Sequence, residues 1–361
     1  MALTIRQGCS DRLIMGMETM TEAQKIGTME EFAALSGISR PTLSKYFNDP
    51  ASVRKSTKER IERALRQYDY RPNLFAINQN RKFTKNIGIL VPHSGDPFLA
   101  EIIRHIEMRC LDAGYWPIIL SSHGELELEI NALETLRSLK LAGAAISPLG
   151  LMSDSELLQQ FAANVPTLVF DSNPVQDQAF VGTNNFQTIG LIVDYLSRTG
   201  EPPCFLEMPA VNNNAYERRA AYILAMEGLG FQPRTIAVPG NSRDYEQCGY
   251  EAGLRLLSAW DFSYSTVLCA NDRLAIGLMA AAYEKGLRVG RGPGCAMRIA
   301  GHDDHPLARY TCPSLTTVAQ DFTAIAEKSV QTLFNLIENS ETPHKRAKIL
   351  LDGKLVLRTS A

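Results

Sequence analysis

The sequence has no apolar run long enough to cross a membrane and none of the common catalytic signatures. Its apolar stretches fall short of the ~18 residues that a membrane span needs. It contains no Gly-x-Ser-x-Gly nucleophile motif and no Walker phosphate-binding motif. Residues 1–27 lack the apolar segment of a signal peptide, and we expect them to form a flexible N-terminal extension. These absences argue against membrane and secreted proteins and predict a cytoplasmic location.

Cysteine is also sparse. Seven cysteines are scattered along 361 residues without a Cys-x-x-Cys pair, which predicts reduced thiols and no disulfide framework. The densest group of potential metal ligands is His302, Asp303, Asp304 and His305. Adjacent residues at the end of a strand cannot all face one ion, and no partner pair with ligand spacing occurs elsewhere. The sequence therefore predicts no metal site, and it predicts no cofactor.

Residues 28–48 have the pattern of two short helices joined by a tight turn. Thr28 and Glu31 have the spacing of a capping box, which predicts the start of the first helix. Gly37 then provides the turn, and Ser39 can cap a second helix. Such a pair is typical of a helix-turn-helix, which presents the second helix to base edges in the major groove. The outward-facing residues of that helix are predicted to be Arg40, Pro41, Thr42, Ser44 and Lys45.

The charge of this region supports DNA binding. Residues 28–86 contain twelve Lys or Arg against six Asp or Glu, whereas the whole chain has a net charge of −2. A locally basic segment suits a surface that contacts phosphates. A third helix is predicted over residues 57–68, with apolar residues on one side. From the pattern alone, the alternative is a small helical hairpin without a DNA-binding role.

Several short motifs occur through this region at fixed positions, and they are Ser36-Gly-Ile-Ser, Thr42-Leu-Ser-Lys, Asn48, Val53, Thr57 and Tyr70-Arg-Pro-Asn-x-x-Ala76. In type and spacing they resemble the headpiece of the LacI/GalR family of bacterial transcriptional repressors. The resemblance implies a DNA-binding headpiece at residues 28–70 and a hinge at residues 71–85. With the groove-facing residues, the predicted DNA-binding set is Thr28, Ser39, Arg40, Pro41, Thr42, Ser44, Lys45, Asn48, Thr57, Asn73, Ala76 and Gln79.

Gln79 departs from the family pattern. It stands where the resemblance places a leucine that wedges between base pairs in the minor groove. Glutamine cannot unstack a base step as an apolar side chain does, although it can hydrogen-bond to minor-groove acceptors. This difference argues against strong kinking of the DNA, and the alternative for residues 79–85 is a solvated linker.

From residue 86 onward, apolar strand-like segments alternate with helical segments. This alternation predicts parallel sheets covered by helices on both faces, with ligands at the carboxyl ends of the strands. Two groups of strands predict two lobes and a cleft between them. The predicted fold is therefore a small all-α helix-turn-helix headpiece and an α/β core that resembles periplasmic binding proteins. Within the core, residues 86–361, we assign residues 86–183 plus 313–330 to one lobe and 184–312 plus 331–357 to the other.

Polar residues at predicted strand ends match the ligand positions of the family. The resemblance places Asp96 and Phe98 in a loop that lays an aromatic side chain over the ligand. It places Asp171 and Arg218 where a carboxylate and a guanidinium contact ligand hydroxyls. The remaining predicted effector-binding residues are Asn271, Asp272, Asp303 and Gln320. The alternative for each is a strand-end residue that caps the following helix.

Carboxylates, amides and a forked arginine suit a polyol, which presents many donors and acceptors but little charge. The resemblance therefore implies a repressor with no catalytic residues that responds to a small-molecule effector, a sugar or sugar derivative. Reading both half-sites of a palindromic operator in double-stranded DNA requires two headpieces, which predicts a homodimer. The competing interpretations are a sugar-binding protein and a sugar-metabolising enzyme with an accessory helical domain. The basic headpiece and the missing signal peptide and catalytic set favour the repressor.

Overall fold

The computed structural model describes residues 26–72, 84–172, 178–258, 265–339 and 347–361. The chain divides into two compact units, residues 1–82 and residues 83–361. The hinge residues Asn73, Ala76 and Gln79 lie outside the described residues, as does most of the N-terminal extension. Among the helices of the described ranges, none combines the length and the apolar character that a bilayer span requires.

The first unit contains three α-helices around a small apolar core. They are α1 (Met29–Ser36), α2 (Arg40–Asn48) and α3 (Lys55–Gln67), with a 3₁₀ turn at Pro50–Ser52. Phe32, Leu43 and Ile61 contribute one fully buried side chain from each helix. The third helix begins two residues earlier than the pattern predicted, so Thr57 lies inside its first turn.

Side chains from α3 and the residues after it fix the turn between α1 and α2. Arg60 Nη2 donates a hydrogen bond to the Gly37 carbonyl at 2.7 Å, and the Tyr68 hydroxyl donates to the Leu35 carbonyl at 3.1 Å. The Tyr70 ring stacks on Phe32 with the ring centroids 4.4 Å apart. The Leu35 side chain itself is 54% exposed.

The second unit is an α/β core whose strands and helices alternate along most of the chain. Its strands are β1 (Asn86–Val91), β2 (Trp116–Ser121), β3 (Gly143–Ile146), β4 (Thr167–Phe170), β5 (Ala179–Thr183), β6 (Cys204–Leu206), β7 (Thr235–Ile236), β8 (Thr266–Cys269), β9 (Arg298–Ala300), β10 (Thr317–Ala319), β11 (Lys348–Leu351) and β12 (Lys354–Val356). Its helices are α4 (Pro97–Asp112), α5 (Leu126–Ser138), α6 (Ser155–Asn164), α7 (Asn185–Thr199), α8 (Asn213–Gly228), α9 (Tyr245–Ser258), α10 (Asp272–Glu284) and α11 (Phe322–Glu338).

These strands form the two parallel sheets that define the lobes. In the first lobe the order is β11-β5-β4-β3-β1-β2, and every neighbouring pair is parallel. In the second lobe the order is β7-β6-β8-β9, again parallel throughout. Strands such as β3 and β4 are buried along their whole length, as expected for parallel strands with helices on both faces. Strands β10 and β12 form a separate antiparallel pair.

The assignment to the lobes was wrong for residues 331–338 and β11, which belong to the first lobe, and for β10, which belongs to the second. Ile325 and Leu333 of α11 pack in the apolar core of the first lobe, and β11 extends the first sheet by pairing with β5. By contrast, Val318 of β10 and Leu355 of β12 pack with the second lobe. The apolar face of α11 packs against the first lobe, and β11 pairs with the free edge of β5. These contacts place both segments in the first lobe irrespective of their order in the chain.

Candidate DNA-binding and effector sites

Local features define where α1 begins and ends and where α2 begins. Thr28 Oγ1 accepts from the Glu31 N–H at 3.2 Å, and Glu31 Oε2 accepts from the Thr28 N–H at 3.3 Å, which completes the capping box. Gly37 ends α1 with φ = 63°, a left-handed conformation that favours glycine. Ser39 Oγ accepts from the Thr42 N–H at 3.4 Å and begins α2. Sequence and local structure agree at each of these positions.

The predicted groove-facing residues of α2 are not all equally accessible. Arg40, Pro41, Lys45 and Asn48 are exposed, whereas Thr42, Ser44 and Thr57 are half-buried. Arg40 Nε lies 2.7 Å from Glu30 Oε1 on α1, with both side chains more than 60% exposed. Such a surface ion pair contributes about 0–1 kcal/mol, so it leaves Arg40 available to another partner. The N-terminal half of α2 is thus an exposed surface.

A narrow cavity lies between the two lobes of the core. Six of the eight predicted effector residues line it, and they are Asp96, Phe98, Asp171, Arg218, Asn271 and Asp303. Most of them follow the carboxyl ends of strands in the two sheets, which is where open parallel sheets bind ligands. The cavity encloses about 60 Å³. That volume is far below the roughly 300 Å³ of a small-ligand pocket, so the lobes must separate to admit a ligand.

Asp303 is the centre of the polar network in this cavity. Its Oδ1 lies 3.0 Å from Arg218 Nη2, and it also contacts His302 Nδ1 at 2.8 Å and Gln320 Nε2 at 2.7 Å. Burial acts to raise the pKa of Asp303, but Arg218, His302 and Gln320 together hold the pKa below its usual value. Asp303 is therefore an ionised carboxylate with fixed neighbours.

Arg218 is held by Asn185 and by the Ala270 carbonyl as well as by Asp303. Its side chain is only 5% exposed. Nε donates to Asn185 Oδ1 at 3.1 Å, and Nη1 donates to the Ala270 carbonyl at 2.7 Å. Three nitrogens are thus already engaged, and the guanidinium is fixed in one orientation. A guanidinium carries five N–H donors, so some remain for a ligand in the cavity.

Asp171 has a different electrostatic environment. Burial raises its pKa to about 7, although the nearby Arg218 acts to lower the pKa. Its Oδ1 accepts from Asn214 Nδ2 at 3.1 Å, and its backbone is left-handed with φ = 67°. At neutral pH this carboxyl group exists in both protonation states, so it can donate or accept a hydrogen bond.

Asp96, Phe98 and Asn271 combine structural and cavity-lining positions. Asp96 Oδ1 caps α4 by accepting from the Phe98 N–H at 2.9 Å, and Asn271 Oδ1 caps α10 by accepting from the Leu274 N–H at 2.9 Å. The Phe98 ring packs edge-on against Phe322 with the centroids 5.4 Å apart. Asp96 and Asn271 therefore both cap a helix and line the cavity, and Phe98 lines the cavity while its N–H takes part in the cap of α4.

Asp272 and Gln320 do not line the cavity. Asp272 is fully buried and accepts from the Thr317 hydroxyl at 2.6 Å and the His305 N–H at 2.7 Å, and burial raises its pKa to about 8. Gln320 bonds to Thr183 and to Asp303. Both residues form hydrogen bonds that stabilise the segments around the cavity without facing it.

The four-residue group from His302 to His305 is divided among different partners. His302 contacts Asp303 and the Thr188 hydroxyl at 2.9 Å, and burial lowers its pKa to about 4. His305 instead approaches Asp272 through its backbone. Within the described ranges, no group of three or more His, Cys, Asp or Glu is arranged to hold a metal ion.

Several cavity residues were missed by the sequence reasoning. They are His93, Pro148, Met208, Asn212, Asn214, Arg243, Arg273 and His305. The run Asn212-Asn-Asn214 after β6 and the arginine directly after Asn271-Asp272 were the available signals. Arg243 lies in a loop and carries no such signal.

Contacts from two arginines of the second lobe are among those that join the lobes across the cleft. Arg273 Nη1 on α10 lies 3.0 Å from Asp96 Oδ2 in the first lobe, while its Nη2 lies 2.6 Å from Glu246 Oε2 on α9. Arg243 Nη2 donates to the Leu149 carbonyl of the first lobe at 2.6 Å. Among the described residues, these arginines connect the second lobe to polar groups of the first.

The architecture is that of a helix-turn-helix regulator with a two-lobed ligand-binding core, and comparisons with known proteins agree. Residues 28–73 match the family described as bacterial regulatory proteins, lacI family, and residues 183–361 match the periplasmic binding protein-like domain. The chain belongs to the LacI family of bacterial transcriptional regulators.

Full-length relatives support the same conclusion. The chain is 27% identical to the transcriptional repressor PurR of Mannheimia succiniciproducens, over 93% of this chain and 98% of that protein. It is 26% identical to the ribose operon repressor of Escherichia coli K12, over 90% and 97%. The lac repressor dimer bound to operator superposes with a TM-score of 0.78 at 25% identity, over 92% and 98%. This protein is therefore a ligand-responsive, DNA-binding transcriptional regulator.

Proposed function

We propose that this protein represses transcription as a homodimer on a palindromic operator and is controlled by a sugar-like effector in the cleft between its lobes. The convergence of Asp171, Asn214, Arg218, Asn271 and Asp303 on one cavity carries the effector part of this proposal. These groups supply paired donors and acceptors with little net charge, as a polyol requires. The ribose operon repressor among the relatives supports a sugar.

The DNA part of the proposal rests on the exposed N-terminal half of α2 and on the basic headpiece. Arg40, Pro41, Thr42, Ser44 and Lys45 would read base edges. Thr28, Ser39, Asn48 and Thr57 would position the headpiece on the backbone, and the hinge residues Asn73, Ala76 and Gln79 would contact the minor groove. The operator-bound lac repressor dimer supports pairing of two headpieces.

Control follows from differential binding. An effector changes the equilibrium between lobe arrangements only by its difference in affinity for them, and that shift changes how well the paired headpieces match the operator. We propose no catalytic role, because the ionised carboxylate Asp303 is engaged with Arg218, and the full-length relatives are repressors.

Operator capture from genomic DNA with the purified protein tests this function. We expect a single palindromic motif, a dimer by light scattering at micromolar concentration, and a change in operator affinity with one class of sugar. A monomer that binds one half-site, or captured DNA without a shared motif, would contradict the proposal.

A further inference from the structure

We infer that the effector carries a negatively charged group, a carboxylate or a phosphate, in addition to its hydroxyls, and that Arg243 binds this group. The inference rests on the proposed function, because it specifies the chemistry of the ligand for the same cleft. It starts from the pairing of the charged side chains that line the cavity.

Three arginines line the cavity, and two of them already have carboxylate partners. Arg218 is paired with Asp303 at 3.0 Å. Arg273 is paired with Asp96 at 3.0 Å and with Glu246 at 2.6 Å. A carboxylate on the ligand would have to compete with these internal partners.

Arg243 differs from the other two arginines. Its one hydrogen bond goes to a neutral group, the Leu149 carbonyl at 2.6 Å. In the described part of the chain, no carboxylate lies within ion-pair distance of Arg243. A half-buried guanidinium that uses one of its five donors retains both its charge and a forked set of N–H groups, which fits a carboxylate or phosphate.

Two acidic residues near Arg243 have other hydrogen-bond partners. Glu129 Oε1 accepts from the Leu149 N–H at 2.8 Å and from the Ser153 hydroxyl at 3.2 Å, and burial raises the pKa of Glu129. Asp244 is exposed and accepts from the Gln247 N–H at 3.2 Å. Neither carboxyl group forms an ion pair with Arg243.

The position of Arg243 also suits one end of an elongated ligand. It lines both the inner cavity and the wider opening around His123 and Gly124. Asp171, Asn271 and Asp303 line only the inner cavity. A polyol with its hydroxyls among the inner groups and an anionic terminus at the opening would satisfy both sets. Asp171 can lose or keep its proton as the ligand requires, since burial brings its pKa to about 7.

Calorimetry on the full-length protein can test the charge directly. The probes are five- and six-carbon aldoses, with the aldonic acid and the aldose phosphate of each carbon skeleton. The variant is Arg243→Gln, which removes the charge and keeps a polar N–H donor on the side chain. The matched control is Arg255→Gln, which removes an exposed arginine of α9 that does not line the cavity.

We expect an anionic member to bind the wild type roughly tenfold or more tightly than its neutral parent. Arg243→Gln should bring this ratio close to one, whereas Arg255→Gln should leave it unchanged. The acid and the phosphate arms distinguish the two sources of charge. If a neutral aldose binds most tightly and Arg243→Gln binds it as the wild type does, the inference is overturned while the proposed sugar effector stands.

A separate probe is needed if no member of any class binds. That result contradicts the proposed sugar effector. Inorganic phosphate alone then tests whether Arg243 binds an anion. Phosphate that raises the melting temperature of the wild type and of Arg255→Gln more than that of Arg243→Gln supports an anion at Arg243. Equal effects on all three proteins overturn it.

Discussion

The charged functional side chains of the headpiece are exposed, whereas those at the centre of the cleft are buried and bonded to each other. In the headpiece, Arg40, Pro41 and Lys45 are exposed, and the ion pair of Arg40 with Glu30 is open to solvent. In the cleft, Arg218 and Asp303 are buried and bonded to each other. A surface that meets a rigid duplex can keep its groups hydrated until contact. A site that encloses a small ligand must keep its buried polar groups bonded in the empty state, because unpaired buried charges are costly.

The largest expected effect comes from a substitution that unfolds the headpiece and leaves the stability of the core unchanged. Phe32→Ala removes a fully buried ring that stacks on Tyr70, and such truncations cost about 3–5 kcal/mol. In so small a unit, this loss should abolish operator binding while the core still unfolds at the wild-type temperature. Binding assays and calorimetry on the same samples would measure both. Leu35→Ala, at an exposed site on the same helix, is the control and should retain operator binding.

The second prediction breaks the cleft and spares the headpiece. Arg218→Ala removes a charge-assisted hydrogen bond, which should weaken effector binding ten- to a hundredfold, or about 1.5–3 kcal/mol. The core should be less stable, because the buried Asp303 carboxylate loses its guanidinium partner, but operator affinity without effector, measured below the melting temperature of the variant, should stay close to that of the wild type. Arg219→Ala is a matched control, since this neighbouring arginine is half-exposed and pairs with Glu207. Asp303→Ala should behave as Arg218→Ala does. Normal effector binding with loss of the operator would reverse the assignment of the two sites.

A third prediction sharpens the description of the headpiece. Arg40→Ala should change the preferred base at one position of each half-site, by about 1–3 kcal/mol, because Arg40 opens the groove-facing helix. Lys58→Ala should weaken binding to all sequences similarly, because its contribution is to the charge near the phosphates. Selection of binding sites from random DNA would compare the two variants. An unchanged selected motif for Arg40→Ala would contradict the proposed docking.

The smallest expected effect is on the pH dependence of the stability of the core. Asp171 has a pKa of about 7 in the folded protein, above the roughly 3.9 of an unfolded aspartate. The folded state therefore binds the proton more tightly, so this residue makes the core less stable as pH rises from about 4 to 7, by about 1 kcal/mol per pH unit. Asp171→Asn should flatten that part of the profile in denaturant titrations. A slope unchanged by the substitution would show that Asp171 is ionised throughout.

Features that depend on neighbouring residues in the chain were predictable from the sequence. The capping box at Thr28, the turn at Gly37 and the apolar strands are specified locally, and the structure contains them. Strand-end residues such as Asp171 and Asp303 could also be placed together. The carboxyl ends of parallel strands meet at one edge, so the prediction needs only their position after a strand.

Features that depend on distant residues were not predictable in the same way. The sequence pattern did not predict strands β10 and β11, and residues 331–338 of α11 were assigned to the wrong lobe, because the choice of sheet edge depends on the finished surface of each lobe. The position of Arg273 between Asp96 and Glu246 joins residues far apart in the chain. Gln320 matched a ligand position of the family, yet it bonds to Thr183 and Asp303 behind the cavity.

The ion pair between Arg273 and Asp96 has a consequence for gene expression in the absence of any effector. Because this pair links the lobes through protein groups alone, it gives the closed arrangement some population before a ligand is present. Each ~1.4 kcal/mol of such a link changes the ratio of the two arrangements tenfold. We therefore expect this arginine–aspartate contact, as one of several links between the lobes, to contribute to the basal output of a regulated promoter and to the range over which an effector can change it.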